Sequence, residues 1–176
     1  LQLAEEAQLL NGLGTGTNIR GLLQRSGVQA VAATVANLFD KIYESITAVE
    51  QVTGLVADGI VINPVDYQRL RLTKDGNGQY IAGGPFLGQY GNGEILENPA
   101  LWGKRTIVTP AIAAGTILVG AGKLGATVYR KGGLTIQATN TNEDDFINNK
   151  ITILSEERLA LAVRRPSAFV KITVGA

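Results

Sequence analysis

The sequence predicts an α+β protein, a mixed sheet with flanking helices joined to a long antiparallel hairpin. Three observations carry this reading. Val28, Val31, Val35, Leu38, Phe39, Ile42, Ile46, Val49 and Val52 step by three and four, the spacing of a helix with one buried face. Short β-rich runs punctuated by Gly and Pro follow Trp102, as in a sheet of short strands. Closer to the C-terminus, Leu159, Leu161 and Val163 alternate with Arg158, Ala160, Ala162 and Arg164, the period of a strand with two unlike faces.

In chain order, Leu3, Ala7 and Leu10 predict an opening helix that stops at Asn11-Gly12, two residues that tolerate the left-handed conformation. Residues 11–21 hold turn chemistry and read as an irregular loop. The long apolar stripe predicts one helix from residue 28 to Gly54. Gly59-Ile60-Val61-Ile62 then predicts a strand, and Asn63-Pro64 a helix start, with Asn as cap and Pro at the first helical position. That helix is expected over 64–73, followed by a turn at Asp75-Gly76-Asn77-Gly78 and a short strand over 79–82. Glycines at 83, 84, 88, 91 and 93 make the stretch to Asn98 a long loop. Strands of one sheet are expected at 106–109, 116–119, 126–130 and 134–138. A polar run from Asn140 to Asp145 marks a boundary, a long strand over 151–165 follows, and residues 169–174 are expected to return as its antiparallel partner.

The 176 residues suffice for one domain or two small lobes sharing a core. Sixteen Lys and Arg against fifteen Asp and Glu leave a net charge of +1, so nothing global asks for nucleic acid or an anionic membrane. Cys, His and Met are all absent, which removes disulfides, thiolate and imidazole metal sites and every triad with a His base. The longest nearly uncharged run, 106–121, is interrupted by Pro110, Gly115 and Gly120 and is too short for a membrane span. With no initiator Met and no leader-like start, the chain is expected to be a fragment of a longer protein.

Gly120-Ala121-Gly122-Lys123-Leu124-Gly125 matches G-x-G-x-x-G after an expected strand. A dinucleotide site would need a helix N-terminus next, whereas β-branched Thr127-Val128-Tyr129 follows, so a tight loop between strands is the expectation. Gly12, Gly14 and Gly16 lack the Lys-Ser/Thr ending of a P-loop and read as a hinge or a close backbone approach. The carboxylate pairs Glu5-Glu6, Asp144-Asp145 and Glu156-Glu157 are expected to be solvated or ion-paired, since strand neighbours point to opposite faces. Lys104, Arg105, Lys131, Arg164 and Arg165 are expected in salt bridges within or between subunits. Trp102 is expected to anchor a loop or mark an interface.

Four ordered blocks then carry a resemblance. They are Asn11-Gly12 with Gly14-Thr15-Gly16 and Gly21-Leu22; the run Asp58 to Tyr67 with Leu72, Lys74-Asp75 and Gly78-Gln79-Tyr80-Ile81; Leu101-Trp102-Gly103 with Val108-Thr109 and Ala114-Gly115-Thr116; and Asp145-Phe146, Asn149 and Glu156 to Ala162 with Arg165-Pro166. Over nearly the whole chain, the sequence resembles the major capsid proteins of tailed bacteriophages with the Hong Kong 97 fold. The resemblance implies a structural shell protein of two lobes, axial over residues 26–138 and peripheral over 1–25 and 139–176. An N-terminal arm, an extended loop and most of a spine helix would lie upstream.

It further implies homo-pentamers and hexamers of an icosahedral shell around a viral genome, built in the host cytoplasm and residing in the virion. A scaffolding protein and a capsid protease are the further partners; sequence-specific nucleic acid, membrane, metal, cofactor and catalysis are not expected. Some members join subunits through an isopeptide bond between a Lys on the extended loop and an Asn of a neighbour, assisted by a Glu, and Asn149 and Glu156 stand at the matching positions. Two other readings stay open on sequence alone: an encapsulin-like compartment, and a nucleotide-binding enzyme using the Gly120 to Gly125 loop.

Overall fold

A computed structural model describes residues 2–81 and 100–175. The expected glycine-rich loop over 83–98 lies outside them. The elements are α1 (Gln2–Asn11), β1 (Gln29–Thr34), α2 (Leu38–Thr53), β2 (Gly59–Ile62), α3 (Pro64–Arg71), β3 (Arg105–Val108), β4 (Thr116–Gly120), α4 (Gly122–Gly125), β5 (Ala126–Thr139), β6 (Thr152–Val163) and β7 (Phe169–Gly175). Five strands form a mixed sheet in the order β1-β7-β4-β2-β3, and β5 and β6 form a separate two-stranded ribbon. No described helix is long and apolar enough to cross a membrane.

The core lies on the five-stranded sheet. Ile42, Ile46 and Val49 of α2 are buried in one cluster with Ile60, Ile62, Ile117, Val119, Val170 and Ile172, and α2 ends where Gly54 adopts φ +67° and its N–H returns to Glu50 O at 2.9 Å. The helix is shorter than expected. Residues 29–34 form β1, parallel to β7 in continuous register from Gln29↔Val170 to Thr34↔Gly175. Thr34 N donates to Asn37 Oδ1 at 2.7 Å, which turns the chain before α2 begins. The run of β-branched and small residues from Val28 to Val35 fits either period, and the pairing offered by β7 decides for the strand.

Two further expectations are corrected by strand pairing. Residues 169–175 do not pair with the strand at 152–163; they run between β1 and β4 at the heart of the large sheet. The expected runs at 126–130 and 134–138 are one strand, β5, paired with β6 and outside the sheet of β3 and β4. The register shifts between Lys131 and Thr135, where Gly132 has φ +76°, so a bulge absorbs the glycines without ending the strand. The large sheet therefore takes strands from both sides of residue 139, and the ribbon is formed by the strands that flank it. Residues 79–81 form no strand but a single bridge, Lys74 to Tyr80.

Cap and turn chemistry behaves as the sequence predicts at Asn63. Its Oδ1 accepts from Val65 N at 2.9 Å while its Nδ2 donates to Ile112 O at 2.7 Å, so one buried side chain both starts α3 and holds the 109–116 loop. Asp66, fully buried, accepts from Gly115 N at 2.6 Å and Arg69 Nη1 at 3.1 Å. Asn63→Ala removes a cap and orphans a buried carbonyl, a loss of about 1–3 kcal/mol. The expected result is a melting temperature lower by about 2–12 °C in a calorimetric scan; an unchanged midpoint contradicts the double role.

Candidate functional site: the projecting ribbon and its ionic anchor

The β5–β6 ribbon carries the positions that the sequence singled out. Near the sheet, Leu161 and Val163 of β6 pack against the core. Further out, Arg130 on β5 bridges Glu5 of α1 and Glu157 of β6, tying the ribbon to the first helix. Beyond that anchor the ribbon is exposed along both strands. Isolated two-stranded ribbons are marginal in water, and this one presents Ile136, Ile153 and Leu154 to solvent.

Glu156 pairs across the ribbon with Thr135 and is exposed. It lies on the wall of an open cleft of about 550 Å³ between β6, Ala4, Glu5 and Gln8 of α1, and the 17–19 loop. Asn149 lies in the turn between the strands, with φ +54° and its N–H on Phe146 O at 3.4 Å. Thr152 begins β6 four positions before Glu156, roughly 13 Å along the strand. Asn149 thus belongs to the turn and Glu156 to the strand that follows it.

Besides Glu5 and Glu157, two further carboxylates of these pairs have structural partners. Glu6 accepts from Thr109 Oγ1 at 2.6 Å, and Asp145 accepts from Thr152. Of the salt bridges expected within or between subunits, none forms within the chain among the described residues at Lys104, Arg105, Lys131, Arg164 and Arg165, and Arg164 donates to Tyr129 Oη at 2.9 Å. The cation that forms two is Arg130, and no local pattern signals it because its partner Glu5 lies 125 positions away. Trp102 anchors its loop to α2, its Nε1 donating to Phe39 O at 3.1 Å and its ring 5.0 Å from that of Tyr43.

The two glycine motifs hold no ligand geometry. Gly122 N and Lys123 N donate to the carboxylate of Asp58 at 2.7 and 2.9 Å, so the first amides of the four-residue α4 are already occupied by an internal anion. The Gly12 region is a close backbone approach: a Cβ on Gly12 would lie 2.0 Å from Ile19 O, and one on Gly21 2.6 Å from Gly12 N. Gly12 is thus required by proximity to another strand of chain and has no left-handed φ.

A five-stranded sheet carrying α2 and α3, with a projecting ribbon anchored on α1, defines the class by fold: an α+β chain of the Hong Kong 97 type. Solved structures superpose on the described chain at this level. The capsid of a native GTA particle gives a TM-score of 0.70 at 16% identity, covering 98% of this chain and 61% of that one. A virus-like particle from Pyrococcus furiosus gives 0.67 at 17%, covering 98% and 63%, and Gordonia phage Cozz gives 0.66 at 13%, covering 99% and 59%. In sequence, the chain is 37% identical to the major capsid protein of Enterobacteria phage HK97 over 178 aligned residues, 98% of this chain and 43% of that protein. The phage capsid family profile matches residues 1–174, and the chain belongs to that family. It spans less than half the length of this curated relative.

Proposed function

We propose that the protein is a structural shell subunit, a phage or prophage major capsid protein that associates with copies of itself into pentamers and hexamers of an icosahedral shell around a viral genome. The observation that carries this is the 37% identity, sustained over 98% of the chain, to a phage major capsid protein. The exposed ribbon suits the role, because a two-stranded element with apolar side chains on its surface gains its remaining cover from neighbours. The five-stranded sheet with α2 and α3, including the last strand, is the axial lobe in this reading; α1 and the ribbon belong to the peripheral one. The subunit works in the virion after assembly in the host cytoplasm, with a scaffolding protein and a capsid protease as assembly partners.

The role is non-catalytic and uses no cofactor. The compartment reading is not favoured, since the sequence identity is to a phage capsid protein, and the nucleotide reading is not favoured because Asp58 fills the amides of its loop. Asn149 and Glu156 remain the positions for a cross-link between copies, in which a Lys amine displaces ammonia from the Asn amide while the Glu carboxylate takes the amine proton. Electron microscopy of the product of the complete reading frame, expressed alone, tests the role. Closed shells are expected; a species that stays monomeric in light scattering at every concentration overturns it.

A further inference from the structure

Lys131 and Arg158 are direct cross-strand partners on the ribbon. Like charges in that position repel, both side chains are exposed, and among the described residues neither has an ion pair. Their face continues inward through the Tyr129–Ala160 pair to Arg164, which donates to Tyr129 Oη. It continues outward to Glu156, the one carboxylate that the described strand residues place on this face. A face with three cations, one carboxylate and an exposed aromatic ring lacks its counter-charge.

The opposite character sits at the ribbon's end. The 140–151 turn carries Glu143, Asp144 and Asp145 against Lys150. Asp145 is engaged by Thr152, while Glu143 and Asp144 are exposed and without an ion pair among the described residues. Beside them, Phe146 and Ile147 are 76% and 82% exposed, an apolar knob flanked by acids. The tip does not reach the basic face of its own chain, because Thr152, where β6 begins, stands six paired positions from Arg158, a separation of roughly 20 Å.

The geometry points to a docking contact between copies: the acidic, apolar tip at 143–147 of one subunit seats on the Lys131–Arg158 face of a second copy, Phe146 beside Tyr129. Such a contact joins two different patches and closes only as a ring. The inference rests on the shell-forming reading and names the surfaces that the subunits use.

The test uses the product of the complete reading frame. Zero-length carbodiimide coupling of mixed light and heavy-isotope copies is expected to join Lys131 to Glu143 or Asp144 in peptides of mixed isotope. The double variants K131E/R158E and E143K/D144K are each expected to weaken self-association about tenfold or more in sedimentation, with unchanged melting temperature. The quadruple variant, with charges exchanged, is expected to recover it. A wild type that does not associate overturns the shell reading and this contact together. A wild type that associates, with couplings only inside one chain or with no recovery in the quadruple variant, overturns this contact alone; recovery absent because a polyanion and not the tip occupies the basic face counts in the same way.

Discussion

Ile42→Asp is expected to leave the chain in the insoluble fraction, with no cooperative melt. Ile42 is 0% exposed in the cluster that α2 shares with β4 and β7, and a carboxylate there has no cation to meet. Burying it unpaired costs several kcal/mol against a total stability of roughly 5–15. Val35→Asp is the informative control. The helical stripe places Val35 on the same apolar face and predicts the same failure, whereas the structure places it in the turn between β1 and α2, 47% exposed. The expected result is a soluble protein whose stability changes by about 0.5 kcal/mol or less. If both variants aggregate, the assignment of 29–34 to a strand is wrong; if Ile42→Asp melts cooperatively, α2 does not face the core.

The second large effect is expected at Gly120, where the motif reading and the packing reading diverge. A Cβ added there would lie 2.3 Å from Phe169 Cδ1 and 2.9 Å from Ala168 O, and one added at Gly125 would lie 2.7 Å from Phe169 Cε2. The Phe169 ring, 3% exposed, thus occupies the volume that two side chains would need. Gly120→Val forces a buried ring and a backbone carbonyl to move together, and overpacking of this kind costs about 1–3 kcal/mol or more. Adding Phe169→Leu is expected to return part of the loss, since the ring is the first atom group met. Gly133→Ala has nothing within 4 Å and no positive φ, and is expected to be nearly neutral. Chemical denaturation of the three variants beside wild type decides. A Gly120→Val protein as stable as wild type would remove the packing account, and a thermal shift of wild type with NAD or ATP would return the glycines to ligand binding.

Much of the local chemistry is legible in the sequence because it is decided within a few residues. Asn63-Pro64 starts α3 by a bond from Val65 N to Asn63 Oδ1. Asp75 closes its turn by accepting from Asn77 N and Gln79 N, and Gly54 ends α2 in the left-handed region. The capsid resemblance was legible too, and its blocks coincide with structural joints: the Asp58 block supplies the anion that caps α4, the Asn63–Asp66 segment holds the 109–116 loop, and Gly12 and Gly21 allow two backbone segments to touch. On the ribbon, Asn149 and Glu156 were legible as positions, but the ionic anchor around Arg130 was not.

By itself, the sequence determined the helical face from Leu38 onward, the caps and turns, the exclusion of thiol and imidazole chemistry, and the family. Only the tertiary structure decided which strands pair. Residues 29–34 become a strand because β7 offers them a continuous parallel register, and residues 169–175 enter the centre of the sheet although a short turn separates them from β6. The bulge at Gly132 lets β5 run through a sequence that reads as a break. Caps and turns are set by bonds between neighbours in sequence. Strand partners are set by burial summed over segments far apart in sequence, as far as Gln29 and Val170, and no local pattern of apolar residues contains that sum.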